Sequence, residues 1–414
     1  MTASRLNPPE LGPRNAARAS ARSALYVHVP FCAAPCPYCH FSKETLSSAR
    51  VERWLGSLER EAARRAPAAD GVAFSSVFFG GGSPSAIPPR AFARAWRAIT
   101  GHFALERGAE ITLEANPETV KPGLLDAWAQ AGVNRLSMGA QSFVPEELGA
   151  LGRLHDERRP GEAFALARAH GFRRLSLDLM FGFPGHTAER WERTLEAALA
   201  LEPEHISAYG FIPEEGTPLG DAVVRGTAAP VPPDVEADLY DTADARFEAA
   251  GLTAYETSNW SRPGAECRHN LTYWLRRDYL ALGPSAHGLW RGERYANARA
   301  LADWAARVEA GEDPASERER ETPASRADEV VLLALRLGSG LDVRDLGREE
   351  RRELVHRYGA ALEAAVACGR LEPTRHGWRI PARLRFVADD TVAWLAVRAR
   401  DREPEALASA TEAA

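Results

Sequence analysis

Phe31-Cys32-Ala33-Ala34-Pro35-Cys36-Pro37-Tyr38-Cys39 is the stretch that decides how this chain is read. Three of the five cysteines lie within it, spaced C-x3-C-x2-C, directly after Leu25-Tyr26-Val27-His28-Val29. That alternating apolar run predicts a strand. Pro30, Pro35 and Pro37 bar a helix, so the thiols belong to a loop just past a strand end. Such a loop can curl three thiolates around one soft metal centre. A structural zinc ion asks for a fourth ligand and usually takes it from paired C-x2-C knuckles. Three cysteines without an obvious fourth suit a cubane iron–sulfur cluster with one iron open to another ligand. A three-ligand zinc site is the competing reading.

Outward from the cysteines the pattern alternates. Strand-like runs fall at 24–29, 75–79, 110–115, 133–137, 173–179 and 205–211, with helical patterns at 49–66, 89–103, 121–131, 157–170, 187–200 and 234–250. Six alternations imply parallel strands with right-handed crossovers, too few for a closed eightfold barrel. Chemistry should then collect at the C-terminal strand ends. Gly80-Gly81-Gly82-Ser83-Pro84-Ser85 follows the second strand, Glu114-Ala115-Asn116-Pro117 the third, and Gly139-Ala140-Gln141-Ser142 the fourth. Asp178 and the Gly182-Phe183-Pro184-Gly185 turn end the fifth. Glycines after a strand allow close backbone approach to a ligand, and this triplet lacks the Lys-Ser/Thr ending of a phosphate loop. Glu114, Gln141, Arg153 and Asp178 read either as site residues or as strand-end caps.

Composition bounds the rest. The 414 residues are 45% hydrophobic and 26% charged with net charge −6, so no basic footprint for nucleic acid is present, and no apolar run approaches a membrane span. Lysine is confined to Lys43 and Lys121, and the abundant arginines are interspersed with acidic residues along helices. Clustered cysteines are no disulfide framework, and a labile cluster points to a reducing cytoplasm. Residues 1–22, without an apolar core segment, are expected to be a disordered leader. Residues 23–260 form the α/β unit, and 261–327 continue through Cys267-Arg268-His269-Asn270-Leu271-Thr272-Tyr273-Trp274 into a charged linker from 311. A small helical domain at 328–402 is expected, with helices at 328–337 and 350–368, Cys368 in its core, and a wing at Gly377-Trp378-Arg379-Ile380-Pro381. A disordered tail closes the chain at 403–414. His269 beside two large rings reads as a packed structural histidine or as part of a planar-ligand site, since imidazole can ligate haem iron.

The cysteine stretch resembles the signature of the radical S-adenosylmethionine (SAM) superfamily, C-x3-C-x-aromatic-C, with Tyr38 as the aromatic. In that family a cluster electron cleaves SAM, bound at the open iron, to a 5′-deoxyadenosyl radical. The resemblance implies a partial (β/α)6 barrel with a small C-terminal winged-helix-like domain. Within the superfamily, Tyr26 to Cys32, Phe79 to Ser85, Leu113 to Pro117, Arg135 to Ser142, Asp178 to Gly185 and Cys267 to Trp274 are similar to the group around oxygen-independent coproporphyrinogen III oxidase, specifically its HemW-type heme chaperones. The match spans about residues 23–395.

Carried over, the resemblance makes Cys32, Cys36 and Cys39 the ligands of a 4Fe-4S cluster. It makes Tyr26, Gly81, Gly82, Ser83, Glu114, Gln141, Arg153 and Asp178 the SAM-contacting positions, with adenine against backbone near Tyr38. His269, Asn270, Tyr273 and Trp274 form the signature of the heme-binding branch, with Cys267 a competing ligand. Heme-accepting apoproteins and an electron donor for the cluster are the implied partners. The oxidase carries a further cysteine where this chain has Phe41, and His40 stands where the chaperones usually have an acidic residue. Ser285 stands where relatives more often have glycine. Two readings follow: a heme chaperone, or an oxidase decarboxylating porphyrinogen propionates. A zinc-binding structural module leaves the polar residues at successive strand ends unexplained.

Overall fold

The computed structural model describes residues 22–400. The expected leader lies almost wholly outside these residues, and the expected tail entirely so. The chain begins with β1 (Ala24–Val29), then β2 (Phe31–Cys32) and β3 (Glu44–Thr45) flanking the cysteine loop. Next come β4 (Ala73–Gly81), β5 (Ala104–Ala115), β6 (Arg135–Gln141), β7 (Arg174–Phe181) and β8 (His205–Gly210). Strands β1 and β4 to β8 pair in that order, all parallel. They are the six expected strands. Along them, apolar residues that pack under the helices alternate with polar ones that face inward, as in Glu110-Ile111-Thr112-Leu113-Glu114 and Ser176-Leu177-Asp178-Leu179.

Helices Ser48–Arg65, Pro89–Thr100, Pro122–Gln130, Arg159–Ala169, Ala188–Leu199 and Pro233–Ala249 connect them. Their starts are set locally. Ser47 and Thr187 cap two of them by accepting from the Arg50 and Arg190 amides. Proline occupies the first turn of the other four, where its missing N–H costs nothing.

The sheet then grows in both directions. Beyond β8 lie antiparallel β10 (Asn259–Ser261) and β9 (Thr253–Glu256). On the other side, β11 (Tyr279–Leu282) pairs parallel with β1 and leads an antiparallel meander of β12 (His287–Trp290), β13 (Glu293–Asn297) and β14 (Ala315–Arg320). Twelve strands thus form one sheet that ends at β9 and β14 and does not close. The charged segment expected as a linker is therefore partly sheet. Its Ser-Glu-Arg-Glu-Arg sequence suits an edge strand, whose charges discourage pairing with another chain.

Helices Pro323–Ala334, Arg348–Ala367 and Ala388–Arg400 pack around a separate core that includes Val331, Leu354, Leu362 and Leu395. A three-stranded sheet of β15 (Leu341–Asp342), β16 (Glu372–Thr374) and β17 (Gly377–Arg379) completes this unit, with the expected wing as its hairpin. Phe386 docks the unit onto Phe181 and Tyr240 of the larger one. Cys368 is exposed, not in the core. Leu354, Tyr358, Ala361 and Ala365 make the buried stripe, but the helix ends at Ala367, so the next position of that stripe is never built as helix. Ser285 has φ +58°, a left-handed backbone that glycine adopts without strain.

Candidate functional site

The cysteine loop is closed at its base by the β2–β3 pair, Phe31 opposite Glu44 and Cys32 opposite Thr45. Trp54 lies beneath it, edge-on to Phe31 at 5.9 Å and donating from Nε1 to the His28 carbonyl at 3.1 Å. The loop therefore stands on packed core. It overhangs a cavity of about 630 Å³ at the C-terminal ends of the six parallel strands.

Two side chains already address the thiols. Ser83 Oγ donates to Cys32 Sγ at 3.8 Å, and Arg153 Nη1 donates to Cys36 Sγ at 3.6 Å. Asn116 joins these two supports, donating from Nδ2 to Ser83 Oγ at 2.8 Å and accepting at Oδ1 from Arg153 Nη2 at 2.8 Å. Lys43 Nζ donates to the Cys39 carbonyl. Burial raises the Cys32 thiol above its ordinary range, Ser83 lowers it, and Cys39 and Cys36 raise it again. Three thiolates here need a cation among them, which an iron cluster supplies. Among the described residues, no three His, Cys, Asp or Glu side chains converge on a point that would hold a single metal ion. A cubane does not ask for that convergence, because each thiolate binds a different iron. The donor set fits the cluster.

The cavity floor is polar and buried. Strand alternation turns Tyr26, Glu114, Ser137 and Asp178 inward. Glu114 Oε2 accepts from the Gly81 amide at 3.1 Å, and Asp178 accepts from Ser137 Oγ at 3.0 and 3.2 Å. The Gly82 and Ser83 amides are engaged by the Val29 and Phe31 carbonyls. A Cβ at Gly82 would strike those same carbonyls, and one at Gly81 would strike the His28 ring. Glycine there is a packing requirement as well as a route of approach. Gln141 takes φ +64° beside a bulge in the β6–β7 pairing, which turns the chain at the cavity wall. Arg153 bonds to Cys36, Asn116 and the Gly139 carbonyl, and its buried Nε has no partner. That orphan donor, on the same cavity as the buried Glu114 and Asp178 carboxylates, fits a zwitterionic ligand such as SAM.

Burial, with the Asp178 charge beside it, lifts the Glu114 carboxyl to about 8, against the Gly81 hydrogen bond. Unfolded, the group titrates near 4.5, so between these values the folded chain holds a proton the unfolded one has lost, and stability falls as pH rises. Glu114→Gln removes that penalty. Relative to the wild type, the variant should have a higher melting temperature at pH 8.5 and little or no advantage near pH 4.5. Equal differences at both would mean Glu114 is already ionised in the fold.

The His-Asn-x-x-Tyr-Trp residues occupy helix Arg268–Trp274. His269, Asn270 and Tyr273 line the inner end of the cavity. Trp274 does not. It packs with Tyr255, Leu271, Leu275 and Leu337, with the Arg336 guanidinium 5.7 Å from its ring centre. Both nitrogens of His269 are engaged, Nδ1 by Ser76 Oγ at 3.1 Å and Nε2 by the Tyr273 hydroxyl at 2.7 Å, and its ring stacks on Phe78 at 5.0 Å. Burial pushes the imidazole down to about 3. Cys267 is buried against Glu110 at 3.5 Å, and its thiol is pushed up to about 12. Tyr38 stands beside Leu151, Met180, Phe183 and Phe211 at the cavity's edge. Sequence reading passed over Asn116, Ser137 and Arg135 at this site. Asn116 lay within a quoted motif, and its polar amide at a strand end was the available signal.

A sequence model of the Radical SAM superfamily matches residues 26–198. The chain is 37% identical over 373 residues to a heme chaperone HemW of Mycobacterium tuberculosis, which covers 89% of this chain and 93% of that one. It is 31% identical over 341 residues to heme chaperone HemW of Bacillus subtilis, covering 82% and 88%. The solved structure of coproporphyrinogen III oxidase (HemN) from Escherichia coli matches with TM-score 0.78 over 93% of this chain and 94% of that one. At 22% identity this last is a likeness of fold.

Proposed function

Because the chain belongs to the HemW-type branch of the radical SAM superfamily, we propose that it is a heme chaperone, binding heme and passing it to acceptor apoproteins. In this reading Cys32, Cys36 and Cys39 hold a 4Fe-4S cluster, and SAM exchanges in the cavity below. The observation that carries it is the gathering of three thiols, two buried carboxylates and Arg153 on one cavity, in a chain that aligns with a heme chaperone along most of its length. When bound, cluster and SAM supply one-electron chemistry.

The chain's own residues bind and orient. Glu114 and Asp178 suit an ammonium group and ribose hydroxyls, Arg153 Nε suits a carboxylate, and Tyr26, Gly81, Gly82, Ser83 and Gln141 shape the bed. An electron donor and the acceptor apoproteins are the partners in this reading, and a reducing cytoplasm suits such a labile cluster. No helix among the described residues is long and apolar enough to cross a membrane.

Glu114→Ala and Asp178→Ala should each weaken SAM binding about ten- to a hundredfold, the cost of one charged hydrogen bond, while iron and sulfide content stays at the wild-type level. Undiminished SAM binding in both would make them strand-end caps only. The functional reading is tested by assaying anaerobically reconstituted protein for heme binding, heme transfer and porphyrinogen conversion side by side. Binding and transfer without conversion is expected, in keeping with Phe41 where the oxidase has cysteine. Conversion of coproporphyrinogen III to protoporphyrinogen IX at an enzymatic rate would replace the chaperone reading with the oxidase one.

A further inference from the structure

We infer that the iron of the carried heme is ligated by His40 at the cavity rim, in an apolar slot beside Tyr209 and Ile212, and not by His269 in the floor. This rests on the heme-carrying reading above.

The floor offers no ready ligand. Both nitrogens of His269 are engaged, and Cys267 is buried with its thiol donating to Glu110 Oε1 at 3.5 Å. Space points the same way. A cavity of about 630 Å³ suits one ligand of moderate size, and SAM beside a cluster takes that role. A porphyrin must then lie across the mouth.

The mouth is built for such a ligand. The His40 side chain is 50% exposed, with Glu214 Oε1 3.7 Å from its Nδ1. A carboxylate beside one ring nitrogen, with the other left for metal, is the usual support of a ligating histidine. Phe41 stacks on the imidazole at 5.2 Å and 29°, holding its plane. Phe41, Tyr209 and Ile212 are 58%, 46% and 69% exposed, yet all line the same opening. Large apolar side chains left uncovered together mark a binding surface. Cations stand next to them. Arg299 Nη2 donates to the His40 carbonyl at 3.0 Å, and Lys43 reaches the Cys39 carbonyl. An imidazole, an apolar wall and two cations on one edge match an iron porphyrin with its two propionates. Rim placement also leaves the cargo within reach of an acceptor, which a floor site would not.

The test titrates heme into the anaerobically reconstituted full chain and follows absorption and resonance Raman signatures of the axial ligand, with iron and sulfide determined in parallel. His40→Ala should lose the histidine-ligated signature and bind heme roughly tenfold or more weakly, with cluster content unchanged. His40→Gly should recover the signature when free imidazole is added. Ile212→Glu should weaken heme about tenfold by removing one apolar contact, without altering the ligand signature. His269→Ala and Cys267→Ser should keep that signature. A wild-type spectrum and affinity in His40→Ala overturns the inference and leaves the chaperone reading intact. So does a ligand change in His269→Ala or Cys267→Ser. Should His40→Ala also lose the cluster, Ile212→Glu decides, and full heme affinity there overturns the slot. A wild-type protein that binds no heme overturns the chaperone reading and this inference together.

Discussion

Cys32→Ala is expected to abolish the iron–sulfur absorbance of the reconstituted protein and to drop its iron and sulfide toward zero, while far-ultraviolet circular dichroism stays unchanged. Two thiolates do not hold a cubane that leaves its fourth iron to an exchangeable ligand. The fold should survive, because what lies under Cys32 is Phe31 against Trp54, not the thiol. Ser83→Ala is the informative companion. It removes the hydroxyl that reaches Cys32 Sγ and the acceptor for Asn116, but no iron ligand, so it should load a cluster of altered stability. Full iron and sulfide in Cys32→Ala, or one zinc per chain in the wild type, would overturn the cluster assignment.

Glu61→Ala should cause a large loss of stability. Glu61 is fully buried on helix Ser48–Arg65. Its Oε1 accepts from Arg65 Nε and Asn297 Nδ2, both at 2.8 Å, and its Oε2 from the Gly283 amide at 2.8 Å and Trp304 Nε1 at 3.0 Å. One carboxylate therefore ties the first helix to the meander that follows β11. Truncation removes the carboxylate from a nearly buried Arg65, which keeps its bond to Asn297 Oδ1, and leaves the Gly283 amide and Trp304 Nε1 without their acceptor. Breaking a buried pair from one side costs about 3–5 kcal/mol. Glu59→Ala on the same helix provides the comparison. Its carboxylate is exposed, 3.7 Å from Arg94, and a surface pair contributes about 0–1 kcal/mol. Denaturant midpoints of the two variants should differ clearly, and equal midpoints would show that the Glu61 network adds nothing net.

Much of the architecture was legible because the physics behind it is local. A strand packed under helices must carry apolar residues at every second position, and prolines and capping hydroxyls mark helix starts, so the six strands and their helices lie where the pattern placed them. The place of the cysteine loop was equally legible, since its prolines bar a helix directly after an apolar strand. The sheet beyond the six units was not. Strand β14 is Ala-Ser-Glu-Arg-Glu-Arg, indistinguishable in sequence from a charged linker, and only pairing with β13 makes it a strand.

The site divides in the same way. Polar residues at strand ends announced a cavity, because alternation and the parallel topology send them to one rim. Which of them meet was settled by contacts between segments far apart in the chain. Asn116 links Ser83 to Arg153, and Glu61 reaches Asn297 and Gly283, through distances no local pattern encodes. The helix carrying the heme-branch signature shows the boundary most clearly. His269 and Tyr273 are four residues apart and share a face, whereas Trp274, about 100° further around, belongs to another. The sequence by itself determined which side chains the signature contains. The tertiary structure decided that two of them bond to each other across the cavity floor, and that the third packs against Leu337, because the helix can turn only one face to the strands.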